Sequence, residues 1–350
     1  MGKRIRVLVV DDSALMRQVM GSLLARDPAI EIVGTAGDPY VARDKIRELQ
    51  PDVLTLDVEM PRMDGLSFLE KLMRVHPMPV VMVSSQTEAG CATTLRALEL
   101  GAVDFVTKPR CDVREHMTEV AQQVIDKIKI AASARVRQRL PGAPLLPYAR
   151  PLLPPPPRGA GCVIAVGAST GGTEALRQFL TALPADAPGV VVVQHMPAQF
   201  TRAFADRLDH LCTIRVKEAD DGDEVLAGLA LIAPGNWHMR VARDTTTYRV
   251  SLSNDPPVNR HRPAVDVLFH SCAEHVQGHA VGVLMTGMGD DGARGLLAMR
   301  KAGAHTLAQD EESCVVFGMP KVAVDLGAVV EVLPLSRLAD AALGGLRRAS

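Results

Sequence analysis

Three short stretches in the C-terminal half end in side chains able to do nucleophilic chemistry. GASTGG (Gly167 to Gly172) satisfies G-x-S-x-G, a spacing that lifts Ser169 onto a turn between a β-rich run and a helical pattern. VVVVQHM delivers His195 to the end of the next apolar run, and VGVLMTG runs into MGDDG, which supplies Asp290 and Asp291. An alcohol, an imidazole and a carboxylate at three strand ends can serve as nucleophile, general base and orienting acid. The chain order Ser, His, Asp differs from the Ser, Asp, His order common for this elbow, so the arrangement would be a separate arrival at the same geometry. The chain has ten histidines. His195 has the strand-end position from which an imidazole reaches Ser169. His238 (PGNWH) and His261 (NRHRP) are rivals in polar loops, whereas His210, His270, His275, His279 and His305 sit in helical or irregular polar surroundings. Composition does not separate Asp290 from Asp291.

A glycine-rich turn ahead of a helix also suits an anion, because the first backbone N–H groups of a helix lack partners. A dinucleotide site, however, wants GxGxxG and an acid at the end of the following strand. Here Ser169 stands at the middle glycine and His195 at the acid's place, which argues against a nucleotide-binding oxidoreductase.

The N-terminal half carries a second constellation. Apolar runs end at Asp11 and Asp12, at Asp57 and at Ser84, and another is followed by Lys108-Pro109. Functional side chains of a parallel sheet gather at the carboxyl ends of its strands. Each aspartate alone could be a helix cap and the lysine a surface residue. Together, three carboxylates would repel one another unless a hard cation lay among them, and Mg²⁺ suits an all-oxygen set. Asp57 could then attack a phosphoryl donor, with the metal and Lys108 offsetting the charge on the phosphoryl oxygens.

The elements that must position these groups are short. In residues 1–130 the β-rich runs Val7–Val10, Ile32–Thr35, Val53–Asp57, Val80–Ser84 and Phe105–Thr107 alternate with helical patterns such as Ser13–Asp27 and Gly65–Val75. The second half repeats the style with strands expected at Val163–Val166, Val190–Gln194, Leu229–Ala233, Val281–Met285 and His305–Ala308, a helix at Glu174–Leu183, a hairpin near Arg240–Leu252 and a closing helix at Leu333–Leu346. Such alternation predicts α/β architecture: two doubly wound parallel-sheet domains, flavodoxin-like and Rossmann-like. Between them the proline-rich stretch Arg137 to Gly159, with its Pro154–Pro157 run, favours an extended spacer. The expected division is residues 1–130, a linker at 131–160, and 161–350.

Bulk properties fit this plan. The 350 residues are 47% hydrophobic, enough for two cores. A net charge of -1 and 3% aromatic residues give no push toward nucleic acid, and no helix-turn-helix with a basic face is visible. Cys91, Cys111, Cys162, Cys212, Cys272 and Cys314 lack disulfide or zinc spacing. The N-terminus turns acidic too soon for a signal peptide, and no apolar run is long enough to span a bilayer, so a cytoplasmic location without membrane insertion is expected.

VVDDS, LDVEMPRMDG and FVTKP resemble the receiver domain of response regulators over residues 4–127. That resemblance implies Asp57 as the phosphoacceptor, Asp11, Asp12 and Asp57 with the Glu59 backbone carbonyl as Mg²⁺ ligands, and Ser84, Phe105 and Lys108 as switch residues. GASTGG, QHMP, APGNWHM, HRPAVDVLF, MTGMGDDGARG and QDEESCVVFGMPK resemble, in order, the chemotaxis methylesterase family, CheB, over about 162–335. The resemblance implies Ser169 as nucleophile, His195 as base, Asp291 rather than Asp290 as the acid, and the Thr170 and Met288 amides as oxyanion donors. It also implies hydrolysis of glutamate methyl esters on chemotaxis receptors, deamidation of receptor glutamines, phosphorylation by a chemotaxis histidine kinase, and an unphosphorylated receiver lying over the catalytic cleft. No cofactor is implied for the ester chemistry. In NRHRPAVDVLFHS, Pro263 fits a first-turn helix position and the apolar residues read as packing, with His261 and Arg262 candidates for the cleft. Arg202 is a candidate contact for acidic substrate flanks, against a solvated helix face.

Overall fold

A computed structural model describes residues 3–60, 63–85, 87–108, 117–136, 161–245 and 247–349. The chain forms two compact units, Met1–Leu145 and Leu146–Ser350. Pro109, Cys111 and the proline-rich stretch 137–160 lie outside the described residues.

In the first unit the strands are β1 (Ile5–Val10), β2 (Ile30–Ala36), β3 (Val53–Asp57), β4 (Val80–Ser84) and β5 (Asp104–Thr107). They alternate with α1 (Ala14–Leu24), α2 (Pro39–Leu49), α3 (Gly65–Val75), α4 (Glu88–Leu100) and α5 (Met117–Ser133). The sheet order is β2-β1-β3-β4-β5 with every pair parallel. Both faces of such a sheet are covered by crossover helices, which is why β3 (VLTLD) and β4 (VVMVS) are largely apolar and buried at every residue. The winding reverses between β1 and β3, so their carboxyl ends flank a crevice.

The second unit contains β6 (Val163–Ala168), β7 (Gly189–Gln194), β8 (Arg215–Glu218), β9 (Leu229–Ile232), β10 (His238–Asp244), β11 (Thr247–Ser253), β12 (Ala280–Leu284), β13 (His305–Gln309) and β14 (Glu331–Leu333). Its helices are α6 (Gly172–Thr181), α7 (Ala198–Leu211), α8 (Val265–His275), α9 (Ala293–Lys301), α10 (Met319–Asp325) and α11 (Leu335–Ala349). Seven parallel strands run in the order β14-β13-β12-β6-β7-β9-β8, and β10–β11 form a separate antiparallel hairpin. Two doubly wound parallel-sheet domains are therefore present, as the alternation of runs predicts. β6 is the pivot: the chain builds outward through β7 on one side and β12 on the other, placing the ends of these three strands side by side. The hairpin is locked to α8 by Ser271, whose Oγ accepts from Val241 N at 2.9 Å.

Several boundaries differ from the sequence expectation. Pro263 lies ahead of Ala264, the residue capping α8, and so is outside the helix rather than in its first turn. Leu333 belongs to β14, and the closing helix starts at Leu335. β8 and β14 are edge strands of four and three residues, and β8 (RVKE) is too charged to stand out as an apolar run.

Candidate active site

Ser169 follows β6 directly. Its amide donates to Thr286 O (3.0 Å), and its carbonyl accepts from Gly172 N (2.7 Å) and from the buried Gln194 side chain (2.9 Å), which fixes the turn from both neighbouring strands. Gly171 caps α6 with φ 77°, the left-handed region where a side chain costs energy, and a Cβ there would lie 2.6 Å from Val315 Cβ. A Cβ on Gly287 would meet Ser169 Cβ at 2.8 Å, so the loop after β12 runs directly against the serine. His195 leaves the end of β7, its amide held by Ala168 O at 3.2 Å.

The three side chains meet. Ser169 Oγ lies 3.1 Å from His195 Nδ1, and His195 Nε2 lies 2.8 Å from Asp291 Oδ2. Asp291 is 2% exposed and Asp290 is exposed, so the buried aspartate is the one that reaches the ring. An ionised carboxylate only accepts hydrogen bonds, so Nε2 must carry the ring proton; Nδ1 is then the acceptor facing the Ser169 hydroxyl. Burial acts to raise the Asp291 carboxyl, but the His195 contact, Asn259 and the Val265 amide outweigh it and pull it down to about 2. The amides of Val265 and Asp266, the first two residues of α8, donate to Asp291 at 2.7 and 3.1 Å. Ala264 has no side chain able to cap α8, and Asp291 caps it from a distant loop, its charge favoured by the helix N-terminus.

Around the triad, Thr170 is buried with its carbonyl accepting from Thr286 Oγ1 at 3.0 Å, and Met288 sits on the exposed loop beyond Gly287. The Ser169 and Gly287 amides are occupied, the latter by Val316 O at 3.1 Å; Met288 N–H has no acceptor among the described residues. Of the rival histidines, His238 is fully buried with both nitrogens engaged, Nδ1 by Ala264 N and Nε2 on Pro256 O. Burial pushes it toward the neutral form. His261 stacks on His195 with ring centroids 3.7 Å apart and planes within 10°. Of the two cleft candidates in NRHRP, His261 is thus the one that lies against the triad. Arg262 does not reach in; its guanidinium donates to Asn254 O and Asp255 O. Arg202 is exposed on α7. Asn259 and Asp266, both hydrogen-bonded into the Asp291 cluster, carried no signal in the sequence.

In the first unit Asp11 and Asp57 are buried and Asp12 is exposed, and one ligand atom from each lies within 4.8 Å of the others. Lys108 Nζ lies 2.8 Å from Asp57 Oδ2 and 3.9 Å from Asp11 Oδ2. Burial, then the charge of Asp11, push Asp57 up to about 6 against the pull of Lys108; burial likewise raises Asp11. Among the described residues, Asp11 Oδ2 is buried without a hydrogen-bond partner. An orphaned carboxylate oxygen beside two others fits a hard, oxygen-seeking cation. Glu59 follows the same strand end, its amide 3.3 Å from Asp57 Oδ1. Ser84 is buried at the end of β4 and accepts from Thr94 Oγ1 at 2.6 Å. Phe105 is buried on β5 with Lys127 Nζ 4.8 Å from its ring centroid.

Comparison with known proteins finds relatives for both halves of the chain. A family model described as CheB methylesterase matches residues 164–342, and one described as response regulator receiver domain matches residues 7–121. The chain is 57% identical to protein-glutamate methylesterase/protein-glutamine glutaminase 2 of Cupriavidus pinatubonensis, over 98% of this chain and 96% of that protein. It is also 57% identical to the protein-glutamate methylesterase/protein-glutamine glutaminase of Salmonella typhimurium, over 96% of this chain and 95% of that protein. Among solved structures, the CheB methylesterase catalytic domain of Thermotoga maritima aligns with a TM-score of 0.52 and 38% identity, covering 53% of this chain and 98% of that domain. Among the described residues no helix is long and apolar enough to cross a membrane.

Proposed function

Because the chain belongs to the CheB methylesterase family, we propose that Ser169, His195 and Asp291 are the catalytic residues by which it hydrolyses glutamate methyl esters on methyl-accepting chemotaxis receptors. The enzyme is a protein-glutamate methylesterase and protein-glutamine glutaminase under the control of its receiver domain. The observation that carries the assignment of the site is the continuous contact from Ser169 Oγ through both ring nitrogens of His195 to Asp291.

His195 Nδ1 takes the Ser169 proton as Oγ attacks the ester carbonyl, and Asp291 stabilises the resulting imidazolium through Nε2. The amides of Thr170 and Met288 hold the oxyanion, a contribution of about 3–4 kcal/mol per donor in such sites. The imidazolium returns its proton to the departing methanol. Water, activated by the same ring, then releases the glutamate from Ser169. With ammonia as leaving group, the same steps convert a receptor glutamine to glutamate.

In the receiver, Asp57 is the phosphoacceptor, supplied by a chemotaxis histidine kinase, and Mg²⁺ when bound would offset charge on the phosphoryl oxygens. Asp11, Asp12 and Asp57, with the Glu59 carbonyl, would hold it; Lys108 orients the phosphoryl group and Ser84 and Phe105 relay the change. Residues 1–130 form the receiver, 131–160 the linker and 161–350 the catalytic domain, acting in the cytoplasm on the cytoplasmic parts of receptors. The test is methanol release from methylated receptor: Ser169→Ala should abolish it, and undiminished release would remove Ser169 from the mechanism.

A further inference from the structure

Between the β10–β11 hairpin and α8, Val258 and His261 exchange backbone hydrogen bonds of 3.0 and 2.8 Å and close a two-residue turn. Its central residues, Asn259 and Arg260, have φ of 51° and 66°. Two successive left-handed residues define a type I′ turn, for which glycine, asparagine and aspartate are the favoured choices. Backbone shape alone would therefore accept any of the three at position 259.

The side chain is what distinguishes them. Asn259 Nδ2 donates 2.8 Å bonds to Asp266 Oδ2 and to Asp291 Oδ1, one N–H for each carboxylate. Glycine has no donor, and aspartate would add a third carboxylate to two that are 5% and 2% exposed. Burial, and then the charge of Asp291, raise the Asp266 carboxyl, with His270 and Asn259 acting the other way. The two acids do repel, and a neutral amide is what lies between them. Asp266 is anchored in turn by Gly295 N at 2.7 Å.

The consequence for Asp291 is rotational. Oδ2 accepts from His195 Nε2 (2.8 Å) and Val265 N (2.7 Å), and Oδ1 from Asn259 Nδ2 (2.8 Å) and Asp266 N (3.1 Å). With two donors on each oxygen, the carboxylate cannot turn without breaking a bond. The same turn lays His261 against the face of the His195 ring.

We propose that Asn259 is a positioning residue of the esterase: its carboxamide, held by Asp266, sets the rotation of Asp291 and through it the aim of His195 at Ser169. This rests on the triad assignment above. The titratable groups that face this cluster are His195, Asp266, Asp291, His270 and, stacked on the His195 ring, His261.

The experiment measures kcat and KM for methanol release from methylated receptor as a function of pH, using the full chain and the variants Asn259→Gly, Asn259→Asp and Ser169→Ala. Both Asn259 replacements tolerate the left-handed turn. Asn259→Gly should lower kcat about 10- to 100-fold with KM within about twofold of the parent. Asn259→Asp should lower kcat at least as far and move the acidic limb of the profile to higher pH, because an added negative charge favours the protonated imidazole. Parental kcat and an unmoved acidic limb in both variants, beside an inactive Ser169→Ala, would show a turn residue with no positioning role and overturn the proposal alone. An active Ser169→Ala would overturn the triad assignment and this proposal with it.

Discussion

Replacing Asp291 by asparagine changes one atom and should cost most of the activity. In the parent, both carboxylate oxygens face only donors: the Val265 amide and His195 Nε2 on one, Asn259 Nδ2 and the Asp266 amide on the other. An amide must turn its NH₂ toward one of these pairs. Facing Asn259 and Asp266, it opposes two donors with a third and leaves buried N–H groups unpaired, at about 1–3 kcal/mol each. Facing His195, it forces Nε2 to accept, so the ring proton moves to Nδ1 and points at Ser169, where no base remains. A tautomer error of this kind lowers kcat about 10⁴-fold, which corresponds to about 5 kcal/mol of transition-state stabilisation. The carboxyl also contributes to stability. Its folded value of about 2 lies below the ordinary 3.8, so the contribution is full above about pH 4 and is lost as pH falls toward 2. The difference corresponds to roughly 2 kcal/mol. Asp291→Asn should therefore release methanol from methylated receptor about 10⁴-fold more slowly at neutral pH and lose stability less steeply on acidification, as followed by urea denaturation at a series of pH values. A kcat within tenfold of the parent would refute the tautomer argument.

Four further outcomes are expected. Asp57, pushed up to about 6, must be deprotonated to ligate a metal, so Mg²⁺ affinity of the receiver should fall as pH drops through about 6; titration at several pH values checks this, and a flat affinity would contradict it. Asp57→Asn should abolish both phosphorylation by a small phosphodonor and the accompanying rise in methanol release. Removing residues 1–140 should raise basal methanol release, and a fall would argue against an inhibitory receiver. Gly171→Ala should lower thermal stability, because the left-handed backbone costs about 1–2 kcal/mol and overlap with Val315 about 1–3 more; an unchanged melting temperature would show that the turn relaxes freely.

Local pattern alone went far in this chain. Strands β3 and β4 and helix α3 begin and end where apolar spacing and flanking residues set them, because a strand covered on both faces is largely apolar and a helix must keep its period. The residue types at strand ends likewise singled out Asp11, Asp57, Ser169 and His195, since a parallel sheet brings those ends to one rim. What the pattern could not carry was adjacency. That β12 lies beside β6 puts Asp291 against His195, 96 positions earlier in the chain, and leaves Asp290 exposed; the side-chain types of these neighbouring aspartates are identical. The edge strand β8 was hidden by its charge, which an edge tolerates. Asn259, His261 and Asp266 matter only because a tight turn and a helix start converge on one carboxylate. Periodicity reports which residues are buried along an element. Which buried groups face one another is decided by the order in which elements pack, and the donors and acceptors of this site are paired only by that packing.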